Sequence, residues 1–281
     1  MNKNGLKTAV LLAFIGGLFM LVGQLIAGGQ GLTIAFFIAI IFVGFQYWMS
    51  DKIAIKAARA VPVSEAQMPE YYAVVRDLTQ RAGLPMPKLY VTPDLQPNAF
   101  ATGRNPEHAA VAVTQGILQV CNWDEMRGVL AHEMSHVGNR DILISSVAAS
   151  LALAITFASR FALFFGGGNN EGNGNAFEEL ALLILAPLAA TLLQLALSRS
   201  REYEADRSGA RLIGDGEPLA RALAKLDVAS RQIPMGVPPA MAPLYIVNPL
   251  AGRRIAFKNL FADHPPTEDR IRRLREREWA R

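Results

Sequence analysis

Four long apolar runs constrain the fold of this chain more than any other feature. They cover residues 7–27, 32–49, 142–165 and 177–197. Each run is long enough to cross a bilayer as a helix, because about 20 apolar residues span a hydrocarbon core of about 30 Å. The hydrophobic share of 51% also favours membrane segments over a purely soluble domain. The sequence therefore predicts an integral membrane protein with four transmembrane helices.

The four runs are expected to form two helical hairpins. Gly28 to Gly31 supplies a turn between the first pair, and the Gly- and Asn-rich residues 166–175 separate the second pair. A cleaved signal peptide is the alternative for the first run. That run is too long for a signal peptide, and no small-residue cleavage signature precedes the next apolar stretch.

The positions of basic residues predict the topology. Lys3 and Lys7 lie at the start of the first run, and Lys52, Lys56 and Arg59 follow the second. Arg140 precedes the third run, and Arg199 and Arg201 follow the fourth. The loops inside the two hairpins contain no Lys or Arg. By the positive-inside rule, both termini and the polar segments face the cytoplasm.

The polar chain is predicted to form one catalytic domain from two segments, 50–141 and 198–281, around the hairpins 1–49 and 142–197. In the first segment we predict a helix at 69–82, strands at 88–92, 98–102 and 109–114, and a helix from Trp123 with Asn122 and Glu125 as a capping box. In the second segment we predict helices at 217–230 and 267–279, the latter with Thr267 as N-cap. Residues 232–250 are a flap, a membrane-contacting loop or an ordinary packed loop.

Residues 132–136 read His-Glu-Met-Ser-His and carry the clearest chemical signal. Positions four apart share one face of a helix, so His132 and His136 can bind one metal ion. Glu133 then lies beside that ion, where its carboxylate can handle the proton of a water molecule. This is the H-E-x-x-H pattern of zinc hydrolases, and it predicts one Zn2+ ion per chain. The alternative is a solvated polar helix face.

A catalytic zinc site needs a third protein ligand. Directly after the fourth run, Glu202 and Asp206 are four apart and share a helix face, whereas Glu204 points roughly to the opposite side. We predict that Glu202 is the ligand and that Asp206 fixes the tautomer of a ligating histidine, His132. A solvated charged helix is the alternative for this stretch.

The charge and cysteine content of the chain bear on nucleic-acid binding and on disulfide bonds. The net charge of +4 is accompanied by no nucleic-acid motif, so no nucleic-acid partner is predicted. Cys121 is the only cysteine, which excludes an internal disulfide and suits a reducing compartment.

The combined motifs resemble the HtpX family of membrane zinc metallopeptidases, relatives of the CAAX prenyl endopeptidases. The motifs that carry this resemblance are residues 132–136, Glu202 with Asp206, residues 98–103 and the late His264-Pro265-Pro266-Thr267. The resemblance covers nearly the whole chain, including the four apolar runs. It implies a zincin-like α+β catalytic domain with a small sheet, in a mainly α-helical protein of the bacterial inner membrane.

The resemblance also implies roles for individual residues. Asn98, Ala99 and Phe100 resemble an edge strand that pairs with an extended substrate. His264 and Arg270 match a His and an Arg that stabilise a developing oxyanion. The implied activity is endoproteolysis of membrane or misfolded proteins, as quality control of membrane proteins.

Two other functions are possible from the sequence. A membrane scaffold or holdase could keep a structural zinc without cutting, but a closed site needs a fourth protein ligand, and Cys121 and His108 are poorly placed for that role. Prenyl-protein processing fits the chemistry, but this chain has fewer apolar runs than those relatives.

Overall fold

The computed structural model describes residues 3–165, 199–233, 237–249 and 265–280. The α-helices in these ranges are α1 (Lys3–Ala57), α2 (Pro69–Ala82), α3 (Gln115–Val120), α4 (Trp123–Gly138), α5 (Asp141–Phe165), α6 (Arg199–Ile213), α7 (Glu217–Gln232) and α8 (Thr267–Arg275). The strands are β1 (Val61–Pro62), β2 (Lys88–Thr92), β3 (Ala99–Gly103) and β4 (Ala109–Thr114). Short 3-10 helices cover Pro106–His108, Pro239–Leu244 and Glu278–Ala280. The described chain is therefore mostly helical, with one small sheet.

Helix α1 consists of two arms that fold back on each other. The helix is broken at Ala27 and Gly28, and Gly28 adopts a positive φ of 58° that suits glycine. The ring centroids of Phe19 and Phe42 lie 5.1 Å apart. In a straight helix these residues would be separated by about 35 Å. The break at Gly28 therefore forms the turn of a hairpin.

The second arm of α1 is the membrane-crossing candidate among the described residues. Ala27–Ala57 has a mean hydropathy of 2.0 in its most apolar window, and 17% of that window is buried. The third predicted span lies on α5, whose Val147 and Leu151 cluster with Ile15 of α1. The fourth predicted span, 177–197, lies outside the described residues. The four-span topology and its cytoplasmic orientation remain predictions.

The sheet is mixed and has the strand order β1-β2-β4-β3. Strands β2 and β4 are parallel with Leu89 opposite Val111, whereas β3 runs antiparallel to β4. This order places β3 at an edge of the sheet, next to α4 and α5. The edge position of β3 matters for the cleft described below.

Helix α4 is the central element of the polar region, since it packs against α2, α6, α7 and β3. Its Val129 and Leu130 are buried in one cluster with Val111 of β4 and Leu223 of α7. Gly128 allows the close approach of α7, because a Cβ atom there would collide with the main chain of that helix. Helices from both polar segments thus meet on α4.

The predicted elements outside the apolar runs agree closely with the structure, and a few details differ. The two-residue strand β1 and the short helix α3 were not predicted, because each is too short to show a periodic pattern. Helix α8 ends at Arg275, and Pro266 rather than Thr267 is its N-cap, since the Arg270 amide donates to the Pro266 carbonyl. Residues 237–249 form a packed segment with buried Met241 and Tyr245.

Candidate metal centre

Helix α4 presents both histidines on one face. The helix begins with a capping box, in which the Asn122 and Glu125 side chains each accept a hydrogen bond from the other residue's amide, at 2.9 Å in both cases. Two turns later, the Nε2 atoms of His132 and His136 lie 3.2 Å apart. His132 is fully buried and His136 is partly buried. The helix therefore brings two imidazole nitrogens to one point.

Glu202 on α6 reaches the same point. Its Oε2 atom lies 3.6 Å from His132 Nε2, and its Oε1 atom lies 3.6 Å from His136 Nε2. Within the described part of the chain, the buried Oε2 atom has no hydrogen-bond partner. A buried carboxylate oxygen without a donor is costly, so this atom is suited to a cation.

The three side chains fit a tetrahedral metal ion. Zinc–ligand bonds of about 2.0–2.1 Å at the tetrahedral angle separate two donor atoms by about 3.3–3.4 Å. The observed donor separations of 3.2 and 3.6 Å bracket that value. The charged side chains at and around the three donors are acidic Glu133, Asp141, Glu202 and Asp206 and basic Arg201 and Arg270. With neutral imidazoles, two negative charges remain in excess, which complements a divalent cation.

The close approach of α6 to α4 depends on Gly209. A Cβ atom at this position would lie 2.9 Å from the His132 amide nitrogen and 3.0 Å from the Ala131 carbonyl carbon. Both contacts are to main chain, which cannot move aside like a flexible side chain. Gly209 therefore lets Glu202, two turns earlier on α6, reach the imidazoles.

We expect Gly209→Ala to destabilise the protein by about 1–3 kcal/mol through overpacking, and to weaken metal binding because α6 is displaced from α4. Thermal unfolding and metal titration of the purified variant would measure both effects. Gly138→Ala is the matched control, since its added Cβ meets Leu84 at an ordinary 3.5 Å. Equal behaviour of the two variants would contradict the role of Gly209.

Asp206 lies at the Nδ1 atom of His132, away from the converging Nε2 atoms, and Arg270 contacts both Asp206 and, at 3.8 Å from its Nη1 atom, Glu202 Oε2. The Asp206 Oδ1 atom is 2.9 Å from His132 Nδ1, which is the contact that the sequence predicts. The Arg270 guanidinium donates to both Asp206 oxygens, at 2.7 and 2.8 Å. All three side chains are nearly inaccessible to solvent. Burial alone would raise the pKa of Asp206, but the charge and hydrogen bonds of Arg270, together with the contact to His132, lower it.

His136 has a carboxylate partner that sequence reasoning missed. Asp141 Oδ2 lies 3.2 Å from His136 Nδ1, and Asp141 is buried. The search for ligands followed the four-residue spacing of a helix, whereas Asp141 is five positions beyond His136. The chain turns sharply between the two residues, with Arg140 at a φ of 57°, so Asp141 at the start of α5 faces back to the imidazole. An acidic residue just after the helix end was the available signal.

A cleft opens beside the three converging donors. Its lining consists of Ala101, His132, Glu133, His136, Asp141, Ile142, Ser145, Arg201, Glu202, Leu244, Tyr245 and Ile246. Glu133 is almost fully buried in this lining. Burial raises its pKa, although the two histidines and Arg270 act in the opposite direction. A carboxylate with a raised pKa is a stronger proton acceptor than an exposed one.

Other predicted site residues are placed differently. Arg270 is absent from the cleft lining, because its guanidinium is bound to Asp206 and to the Ile246 carbonyl behind His132. Its Nη1 atom also lies 3.8 Å from Glu202 Oε2, and the oxyanion role of Arg270 stays a prediction. His264 lies outside the described residues. Asn98, Ala99 and Phe100 are fully buried and, unlike Ala101, do not line the cleft.

The hydrogen-bond pattern of β3 determines which residues face the free edge of the sheet. The Asn98 carbonyl accepts from the Thr114 amide of the neighbouring strand. Partners alternate along an antiparallel pair, so Ala99 and Ala101 direct their main-chain groups to the outer edge. The Ala99 carbonyl there accepts from the Ile246 amide at 3.1 Å. Ala101 is thus the β3 residue whose main chain faces the cleft.

The protonation of His132 predicts how metal binding depends on pH. Burial lowers the pKa of His132, but the Asp206 and Glu202 carboxylates outweigh burial and raise it to about 9. A metal ion binds the neutral imidazole, so His132 must release a proton. We expect apparent metal affinity to rise by about tenfold per pH unit from about pH 7 and to level off above about pH 9. Competition with a chelator, corrected for protonation of the chelator, measures the apparent metal affinity at each pH. An affinity that stays constant between about pH 7 and about pH 9 would contradict this expectation.

Comparison with known proteins agrees with the geometry. Residues 65–278 match the model of peptidase family M48. The HtpX homologue from Pelotomaculum thermopropionicum, named a protease, is 52% identical over 277 residues, which cover 96% of this chain and 98% of that relative. The HtpX protease homologue from Burkholderia mallei strain SAVP1 is 50% identical and covers 96% of both chains. The chain belongs to the HtpX proteases of family M48. It is therefore a metalloprotease.

A solved structure has a fold similar to that of this chain. The crystal structure of S. mikatae Ste24p matches 95% of this chain at a TM-score of 0.51 and 20% sequence identity. The chain covers 64% of the length of Ste24p. At this identity the likeness concerns the fold alone. Membership of family M48 implies a bound metal, and the cluster of His132, His136 and Glu202 is a site that could hold one.

Proposed function

We propose that this protein is a zinc endopeptidase that cleaves membrane or misfolded proteins at the cytoplasmic face of a membrane. The observation that carries the proposal is the convergence of His132, His136 and Glu202 beside a cleft that also contains Glu133. Two imidazoles, one carboxylate and an open side are the donor set of catalytic zinc. A zinc ion held by them would activate water and polarise a scissile carbonyl.

Glu133 is the general base in this proposal. It lies next to a metal ligand on the same helix and lines the cleft, so it can take the proton of the attacking water. The same carboxylate then delivers the proton to the leaving amine.

Each histidine is oriented by its own carboxylate. Asp206 faces the Nδ1 atom of His132, and Asp141 faces the Nδ1 atom of His136. A carboxylate on Nδ1 fixes the tautomer that directs Nε2 to the metal, and it increases the basicity of the ligand. We assign this orienting role to both residues.

Asp141→Asn is expected to weaken metal affinity by about 10–100-fold, because the amide loses the charge that favours the ligating tautomer of His136. Metal titration in the presence of a competing chelator measures the change. Asp124→Asn is the control, since Asp124 is exposed in the first turn of α4 and pairs with Arg221. An unchanged affinity in Asp141→Asn would contradict the assignment.

The substrate is proposed to pair with the free edge of β3. The family resemblance implies this role for Asn98, Ala99 and Phe100. The main chain of Ala101, at the centre of the strand, faces the cleft. Addition of an extended peptide to such an edge provides main-chain hydrogen bonds without a strict sequence requirement. His264 remains the proposed oxyanion donor.

The proposed membrane location follows from two features. The second arm of α1 is apolar and mostly unburied, and α5 begins three residues after the metal helix ends. The proposed site therefore lies close to the start of an apolar helix. The positive-inside rule gives the cytoplasmic orientation. Substrates that are membrane-bound would be favoured accordingly.

A reconstituted assay tests the proposed function. Purified full-length protein in detergent would be incubated with casein and with a membrane-protein substrate, with a chelator or with added zinc. We expect cleavage of both substrates, loss of cleavage after chelation and its recovery with zinc. Cleavage that survives complete metal removal would contradict the proposal.

A further inference from the structure

The segment Leu244–Val247 forms one wall of the metal cleft, and we call it the cleft wall. Its first three residues line the cleft together with Ala101. The Tyr245 ring packs edge-on against Phe100 of β3, with ring centroids 5.0 Å apart. The Ile246 amide donates to the Ala99 carbonyl at 3.1 Å. The wall thus occupies, at one point, the strand edge proposed to receive substrate.

Asn98 holds the wall to the end of β3. Its Nδ2 atom donates to the Val247 carbonyl at 3.0 Å, and its Oδ1 atom accepts from the Val247 amide at 3.3 Å. Asn98 is fully buried, so neither hydrogen bond has to compete with solvent. The Asn98 side chain therefore makes the two hydrogen bonds to the Val247 main chain that a neighbouring strand would otherwise make.

Arg270 holds the wall from the other side. Its Nη1 atom donates to the Ile246 carbonyl at 2.8 Å, while Nε and Nη2 donate to Asp206 at 2.8 and 2.7 Å. Asp206 in turn lies 2.9 Å from His132 Nδ1. The guanidinium is planar and rigid, and it is 1% exposed here. It cannot follow a displaced Ile246 carbonyl and keep both bonds to Asp206 unchanged.

We infer that Arg270 is a positioning residue that couples the cleft wall to the metal ligand His132. The inference rests on the proposed function, because it takes His132 to bind the metal. When the cleft wall is bound to β3, Arg270 and Asp206 are held in position beside the His132 imidazole. A peptide that pairs along β3 as far as Ala99 displaces the Ile246 amide, and this movement shifts Arg270 and Asp206 relative to the imidazole. Coupling is reciprocal, so the metal ion also stabilises the wall.

The coupling can be measured by a double-mutant cycle in the full-length protein. Asn98→Ser removes both hydrogen bonds to Val247 without touching Arg270. Arg270→Lys keeps a positive charge beside Asp206, but a single ammonium cannot bridge Asp206 and Ile246 in the same geometry. Two quantities are recorded for each variant: the rate of zinc loss to an excess of chelator, and the hydrogen exchange of the Ile246 and Val247 amides.

We expect Asn98→Ser to accelerate both amide exchange and zinc loss by about tenfold in the wild-type background. In the Arg270→Lys background, Asn98→Ser should still accelerate amide exchange but leave the rate of zinc loss unchanged, which is the non-additivity that coupling requires. Asn105→Ser is the control, since Asn105 binds the main chain of His108, away from the wall. Equal acceleration of zinc loss in both backgrounds would overturn the inference.

A measurement without substitutions covers the case in which a variant does not fold. Removal of zinc from the wild-type protein should accelerate exchange at the Ile246 and Val247 amides, and unchanged exchange would overturn the coupling. A wild-type protein that binds no zinc at His132 would instead refute the proposed metal site. The two failures are therefore distinguishable.

Discussion

Replacement of Glu133 by glutamine is expected to lower kcat for peptide-bond cleavage by about 10²–10⁴-fold, which is the usual contribution of a general base. The amide has nearly the same size and shape but cannot accept the proton of water. The metal donors are other residues, so zinc content should remain that of the wild-type protein. Steady-state cleavage of a membrane-protein substrate, together with metal analysis, measures both quantities.

One control variant makes the Glu133 result interpretable. Glu204→Gln is the matched control, because Glu204 is exposed on α6 and pairs with Arg207. This control should retain wild-type kcat. Retained cleavage by a pure preparation of Glu133→Gln would contradict the assignment of the base.

Loss of the carboxylate at Glu202 is expected to have the largest effect on the metal. Glu202→Ala leaves two imidazoles from one helix, and we expect the affinity for zinc to fall by more than about 100-fold, beyond the usual cost of losing an orienting residue. Cleavage should fall with metal occupancy. Metal content after mild chelation gives the result directly.

The control for this variant is Glu204→Ala, two residues along the same helix. Glu204 faces away from the imidazoles and contacts Arg207 and Ser208. Full zinc occupancy is expected in Glu204→Ala. Full occupancy in Glu202→Ala as well would show that the third ligand is another residue.

Much of the metal centre could be predicted because its signals are local. The capping box at Asn122 and the four-residue spacing of His132 and His136 depend only on helix geometry. Glu202 could be predicted because a zinc site with two histidines needs a third protein ligand. The four-residue spacing between Glu202 and Asp206 indicated which face of their helix carries it. Short-range periodicity therefore predicted the helices and the donors on them.

The remaining contacts could not be predicted, because they join distant parts of the chain without a periodic pattern. Asn98 and Val247 are 149 positions apart, and nothing in either stretch indicates that one binds the other's main chain. The direction of Arg270 depends on where Ile246 and Asp206 lie in three dimensions. The turn at Arg140 that returns Asp141 to His136 required a positive φ at a non-glycine residue, which sequence rarely predicts.

The residues that orient the two histidines connect the metal centre to α5 and to the cleft wall. Asp141 is the first residue of α5, and Arg270 binds the wall that packs on β3. Both imidazoles are therefore held by groups from elements outside α4. Displacement of α5 or of the cleft wall should weaken the site even with every ligand present. Metal titration in detergents that do or do not preserve α1 and α5 tests this expectation.

X-ray absorption at the zinc edge tests the central claim, that His132, His136 and Glu202 hold a catalytic metal ion. The account predicts two imidazole ligands with nitrogen and oxygen neighbours at about 2.0–2.2 Å, and no sulfur neighbour at about 2.3 Å. In Glu202→Ala loaded with excess zinc, both imidazoles should remain while the protein carboxylate is lost. A sulfur neighbour, or a spectrum without imidazole scattering, would contradict the account.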